Sequence, residues 1–145
     1  MDFFQLIIFG ILFNAAIMLI SKSFRHYTIG IDSLPTISII AGYTLGAAAG
    51  LWAGTIVAIV YHLMRIRTIQ YMPLTILANA VVGILASLMS FGSIFTAGIA
   101  LLIVYHIISI AAVSVLGGLK PGYFSFITLN FITTIFLLYV VGMLI

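Results

Sequence analysis

Along the whole chain, apolar runs long enough to cross a membrane alternate with short polar breaks. A helix rising ~1.5 Å per residue needs about 20 apolar residues to cover a hydrocarbon core of ~30 Å. By that ruler residues 3–21, 72–89, 94–116 and 123–145 each form a spanning helix. Ser90-Phe91-Gly92-Ser93 permits a tight helical hairpin, because serine and glycine favour turns. Leu116-Gly117-Gly118-Leu119-Lys120-Pro121-Gly122 is a stronger break, with glycine at the helix end and proline just beyond it.

The segment 36–64 is harder to place. As one helix it would run ~43 Å, too long for the core unless strongly tilted. The basic residues arbitrate, since they collect on one side of most membrane proteins. With one helix here the chain has about five spans, and Lys22 and Arg25 face away from Arg65, Arg67 and Lys120. With two short helices, breaking near Ala47 to Gly50, it has about six spans and all the basic residues share a face. The expected fold is therefore an all-α integral membrane protein, a bundle of about six transmembrane helices (five if 36–64 is one helix). Residues 1–145 form a single transmembrane domain, multi-pass in the cell membrane.

Gly42, Gly46, Gly50 and Gly54 recur every fourth residue inside that segment, and Ala58 continues the series. Small residues at this spacing line one helical face and let another backbone approach closely, which is how helices associate in lipid. The ladder is expected to serve helix packing, either inside the bundle or against a partner. As a single-face series it favours one continuous helix, although glycine also tolerates the bend that two helices require.

Composition sharpens the class: 65% of residues are hydrophobic and 5% charged, with a mean hydropathy of +1.42, which excludes a soluble globular domain. The formal charge of +3 comes from residues at or between helix ends, so no nucleic-acid-binding surface is expected. Cysteine is absent, which removes disulfides, thiolate metal sites and cysteine nucleophiles. The first apolar stretch lacks a basic leading region and is expected to remain as the first helix.

Polar residues within spans cost free energy unless paired, so they are the first places to look for function. Asn14, Asn79 and Asn130 are each expected ~10 Å below the basic face, and His106 deeper, near the mid-plane. Together they could line a pocket opening toward Lys22, Arg25, Arg65 and Lys120; alternatively each asparagine only bonds a neighbouring helix. Asp2 and Asp32 read as terminal and loop carboxylates, so no carboxylate is expected beside His106 and proton-coupled pumping is disfavoured. His62, one turn from Arg65, reads as an interfacial residue. Neither a His-Glu-x-x-His site nor a Gly-x-Ser-x-Gly elbow is present, so no metal, no cofactor and no enzymatic activity are expected. The loop 22–35 is the longest polar connection and could cover a pocket, with Asp32 pairing Arg25 or Lys22. Phe24, Tyr27 and Tyr71 equally suit anchors at the membrane interface.

Six short apolar helices, a longer first loop and the run Ala41-Gly42-Tyr-Thr-Leu-Gly46-Ala-Ala-Ala-Gly50-Leu-Trp-Ala-Gly54 resemble the substrate-binding component of energy-coupling factor vitamin transporters. A similar pattern occurs in rod-shape-determining MreD-type membrane proteins. The first resemblance implies capture of a vitamin-sized solute or a metal ion between the first loop and the later helices. It also implies a complex with a transmembrane coupling subunit and paired ATPases. A basic rim would suit an anionic solute. The leading expectation is a small-solute-binding protein of transporter type, with Asn14, Asn79, His106, Asn130 and Arg25 as substrate-binding groups. The alternative is a non-catalytic structural subunit of a larger membrane complex, held to lipid and to other integral subunits.

Overall fold

A computed structural model describes residues 1–23, 31–89, 92–117 and 121–143. Its elements are α1 (Phe3–Ser23), α2 (Leu34–Leu45), α3 (Ala47–Met64), a 3-10 turn (Ile66–Tyr71), α4 (Met72–Leu88), α5 (Ile94–Gly117) and α6 (Pro121–Gly142). The chain is an all-α, multi-pass membrane protein. Five of these helices are long and apolar enough to cross a membrane, and their outward residues, such as Phe4, Leu12, Trp52, Ile107 and Phe136, present the apolar surface that lipid requires.

The segment 36–64 is two helices, and the break falls at Gly46, just before the expected position. Gly46 has a φ of 96°, a left-handed conformation that L side chains rarely adopt. It stacks against nothing, so its role is to turn the chain rather than to extend a packing face. The six expected helices are present, five of them long enough to span and α2 short. At 12 residues α2 covers only ~18 Å, about half of a bilayer core. The Ser33 amide donates to Asn14 Oδ1 (3.0 Å) and the Ser33 hydroxyl to the Gly10 carbonyl (3.3 Å). These bonds fix the start of α2 beside the middle of α1, ~13 Å short of its Ser23 end. Pro35, which has no N–H to leave unsatisfied, occupies the first turn. The chain thus begins α2 at mid-depth, reaches the far face at Gly46 and returns through α3.

That turn folds the glycine ladder onto itself. Gly42 meets Gly50 and Ser38 meets Gly54 across the α2–α3 hairpin, and α4 lies in the groove between them. A Cβ on Gly42 or Gly50 would overlap the Gly83 carbonyl, and one on Gly50 would also lie 2.7 Å from the Gly42 Cα. One layer toward the basic side, Ser38 Oγ lies 3.0 Å from Asn79 Oδ1 and 3.1 Å from the Leu34 carbonyl, while Asn79 Nδ2 donates to the Thr75 carbonyl at 2.8 Å. Buried Ile37, Val57, Ala58, Ala78, Val82 and Ala86 fill the space around these contacts. At the hairpin tip the Tyr43 hydroxyl donates to the Gly92 carbonyl of the α4–α5 turn.

The remaining helices wrap this core. α1 runs parallel to α3, with Gly10 against Val57 and Ser21 against Arg65. α5 and α6 run antiparallel, as the pairs Ile94 with Gly142, Gly98 with Leu138 and His106 with Phe131 show. The ends of α1, α3 and α5 and the starts of α4 and α6 therefore share one side, and Lys22, Arg65 and Arg67 stand at it. Arg25 and Lys120 lie outside the described residues.

The three-glycine contact makes a direct prediction. Gly42→Ala or Gly50→Ala forces two backbones apart and should destabilise the protein by about 3 kcal/mol, the upper end of overpacking costs, because backbone yields less than a side chain. Gly92→Ala and Gly122→Ala, where a Cβ meets nothing, should leave the melting temperature in detergent unchanged. Equal melting temperatures across all four variants would contradict this packing.

Candidate functional site

The level at which α2 begins is also where polar groups gather. Asp32 sits in the non-helical connection just before α2, level with the middle of α1, and is fully buried. One carboxylate oxygen accepts the Leu34 amide at 3.1 Å, so the carboxylate closes the exposed N-terminus of a half-length helix. The buried Asn130 amide of α6 lies beside it, and the Arg65 guanidinium acts on it from the basic side.

Asp32 and His106 line one cavity of about 550 Å³. α3 contributes Tyr61 and His62, the turn after it Arg65 and Thr68, and α5 contributes Tyr105, His106 and Ser109. α6 adds Tyr123 and Phe126, and exposed Gln70 and Gly122 mark the end of the cavity toward the basic side. The volume falls within the ~300–1,000 Å³ of small-molecule sites. His106, only 6% exposed, packs its ring 5.8 Å from that of Phe131, and its Nε2 has no hydrogen-bond partner. A buried nitrogen without a partner costs about 1–3 kcal/mol, and this one faces the cavity.

Arg65 and His62 are held more tightly. The guanidinium lies over the Tyr61 ring at 4.9 Å, donates to the Tyr61 hydroxyl at 3.0 Å and reaches Ser21 Oγ of α1 at 3.5 Å. His62 bonds Thr68 through Nδ1 and Thr75 through Nε2, each at 3.0 Å. Those hydroxyls also lie within bonding distance of the Arg65 and Tyr71 carbonyls. A neutral imidazole donates through one nitrogen only, so one threonine turns its hydroxyl toward the ring. His62 clamps the 3-10 turn over the start of α4.

The expected substrate-binding set divides. His106 lines the cavity. Asn79 is spent on Ser38 and the Thr75 carbonyl, and Asn14 on the Ser33 amide, so both hold helices together rather than facing the cavity. Asn130 stands behind Asp32 instead of lining the cavity itself. Arg25 and the proposed loop cover at 24–30 lie outside the described residues. Asp32 is the main correction: it is an intramembrane carboxylate, on the same cavity as His106. Its signal was available in Asp32-Ser33-Leu34-Pro35, a helix start whose helix reaches Gly46 in half a bilayer thickness. Comparison with family models, with curated proteins and with solved structures finds no match.

Two stability measurements follow. Asp32 is buried with the Leu34 amide and Asn130 as its near partners, so its ionised form is costly to hold inside the protein. Asp32→Asn, which keeps an acceptor for the Leu34 amide, should therefore raise the melting temperature at about pH 8. The gain over wild type should shrink toward about pH 4; a gain independent of pH would refute this assignment. His106→Leu should raise the melting temperature slightly by removing an unpartnered nitrogen, whereas Asn79→Ala should lower stability by ~1 kcal/mol or more.

Proposed function

We propose that this chain is a small-solute-binding protein of transporter type in the cell membrane, acting with partner subunits. The observation that carries the reading is a cavity that reaches the level of the middle of α1 and ends on a buried carboxylate and an imidazole with an unmet hydrogen bond. Structural helices do not need such a floor. A carboxylate at bilayer mid-depth costs ~2.5–3.5 kcal/mol or more, and residues of this kind mark solute and ion pathways. The half-length α2 is the type of discontinuous helix around which membrane transporters build sites near the mid-plane.

A structural-subunit role has less to rest on. Gly42, Gly50 and Gly54, which would be its docking face, are closed within the α2–α3–α4 core. Apolar outer surfaces such as Phe4 and Val115 suit lipid as well as another subunit.

The absence of cysteine makes the cavity easy to probe. Ser109→Cys, on the cavity wall, should react with a small water-soluble maleimide, and Ile107→Cys, on the outer apolar surface, should not. Purification in mild detergent should recover coupling and ATPase subunits, and a solute library should raise the melting temperature of the isolated chain. Unreactive Ser109→Cys together with no stabilising solute would remove the reading.

A further inference from the structure

The cavity has an electrical polarity that its basic rim conceals. At the mouth, Arg65 is already engaged by the Tyr61 ring, the Tyr61 hydroxyl and Ser21. At the floor, the Asp32 carboxylate accepts the Leu34 amide, has the Asn130 side chain beside it, and has no cationic group in contact with it among the described residues. Between them stand the rings of Tyr61, Tyr105, Tyr123 and Phe126, with Tyr123 and Phe126 stacked at 5.9 Å. Aromatic faces attract cations through their quadrupoles, most strongly where water is excluded. An anion reaching the floor would meet a like charge in a low-dielectric setting. A bare metal ion would need five or more oxygen ligands close together and would leave most of 550 Å³ unfilled.

We propose that the cavity selects solutes bearing a compact organic cation, a protonated amine or quaternary ammonium, with Asp32 as the counter-charge and the aromatic rings as walls. This rests on the cavity being a solute site. His106 Nε2 offers one hydrogen bond to a second polar group of the solute. The expectation of an anionic solute drawn from the basic rim is thereby reversed.

The same geometry couples binding to a proton. When Asp32 is protonated, an arriving cation displaces that proton to water: the carboxyl O–H breaks, the carboxylate keeps the electron pair, and the charge in the cavity is unchanged. The other charged or titratable groups lining this cavity are Tyr61, His62 and Arg65 from the α3 side, Tyr71 from the 3-10 turn, Tyr105 and His106 from α5, and Tyr123 from α6. Asn14 of α1 and Asn130 of α6 are neutral.

The test uses the full chain in lipid nanodiscs and three probes of one shape: 2-phenylethylammonium, neutral 2-phenylethanol and anionic 3-phenylpropionate. Calorimetry should show the cation binding tightest, and Asp32→Asn weakening it on the order of 30-fold or more, as loss of a buried charge partner does. In the wild-type chain, lowering the pH from about 8 to about 5 should weaken the cation and leave the alcohol unaffected, which keeps the test valid even if Asp32→Asn folds poorly. The proposal falls if the alcohol or the anion binds as tightly as the cation, or if affinity ignores both Asp32→Asn and pH. It falls also if none of the three binds. A wider solute library that still stabilises the protein would then leave the solute-binding reading intact, and a library without effect would remove both.

Discussion

Three glycine backbones in contact, Gly42 of α2, Gly50 of α3 and Gly83 of α4, are the constraint from which the rest of the bundle follows. In lipid there is no hydrophobic gain from bringing helices together, so association relies on close packing and on polar bonds. The glycines allow the approach, and the Ser38–Asn79 pair one layer away fixes the register. With α2 held against α3 and α4 over its whole length, its start cannot slide outward to the membrane surface. The Ser33–Asn14 bond ties that same end to α1. Asp32 is carried to mid-depth as a result, whatever its own solvation would prefer.

Stability and site are therefore opposed at one residue. The packing of α2 gains enough to hold a carboxylate inside the bilayer, and the carboxylate returns little of it: one backbone amide bond, the Asn130 side chain beside it, the positive end of a short helix and the distant Arg65 charge. His106 and Asn130 add buried polar atoms without partners in the same region. A bundle selected for stability alone would fill this end with leucine. Asn79 and His62 are bonded to their neighbours, whereas the unpartnered Nε2 of His106 lies on the cavity wall, which separates a candidate functional group from packing groups.

The helices were legible in the sequence because hydropathy and length determine them, and the charge distribution correctly demanded that α1, α3 and α5 end on one side. The half-length of α2 was harder to see. Residues 31–33 read as the end of a polar loop, and only the bonds from Ser33 to α1 reveal that they lie inside the membrane. Depth along a helix was readable, which is why His106 was placed near the mid-plane. Direction around a helix was not: in a segment apolar on every side, no amphipathic stripe tells whether an asparagine faces a cavity or a neighbour. Asn14 and Asn79 were indistinguishable from pocket residues for that reason. The glycine series misled in a related way, since spacing by four reads as one face until a left-handed glycine folds it in half.

The hairpin formed by α2 and α3 also bears on how the chain enters its membrane. Its tip, Tyr43-Thr44-Leu45-Gly46-Ala47, carries no charge, and the turn joining α4 to α5, Met89-Ser90-Phe91-Gly92-Ser93, carries none either. Each tip has to be carried through the hydrocarbon during insertion, and an uncharged tip avoids the largest cost of that passage. Lys22, Arg65 and Arg67, which would be expensive to translocate, lie at the opposite ends of these helices. The two hairpins can thus be threaded as closed units from a single side, and the glycine contact between them can form once both have arrived.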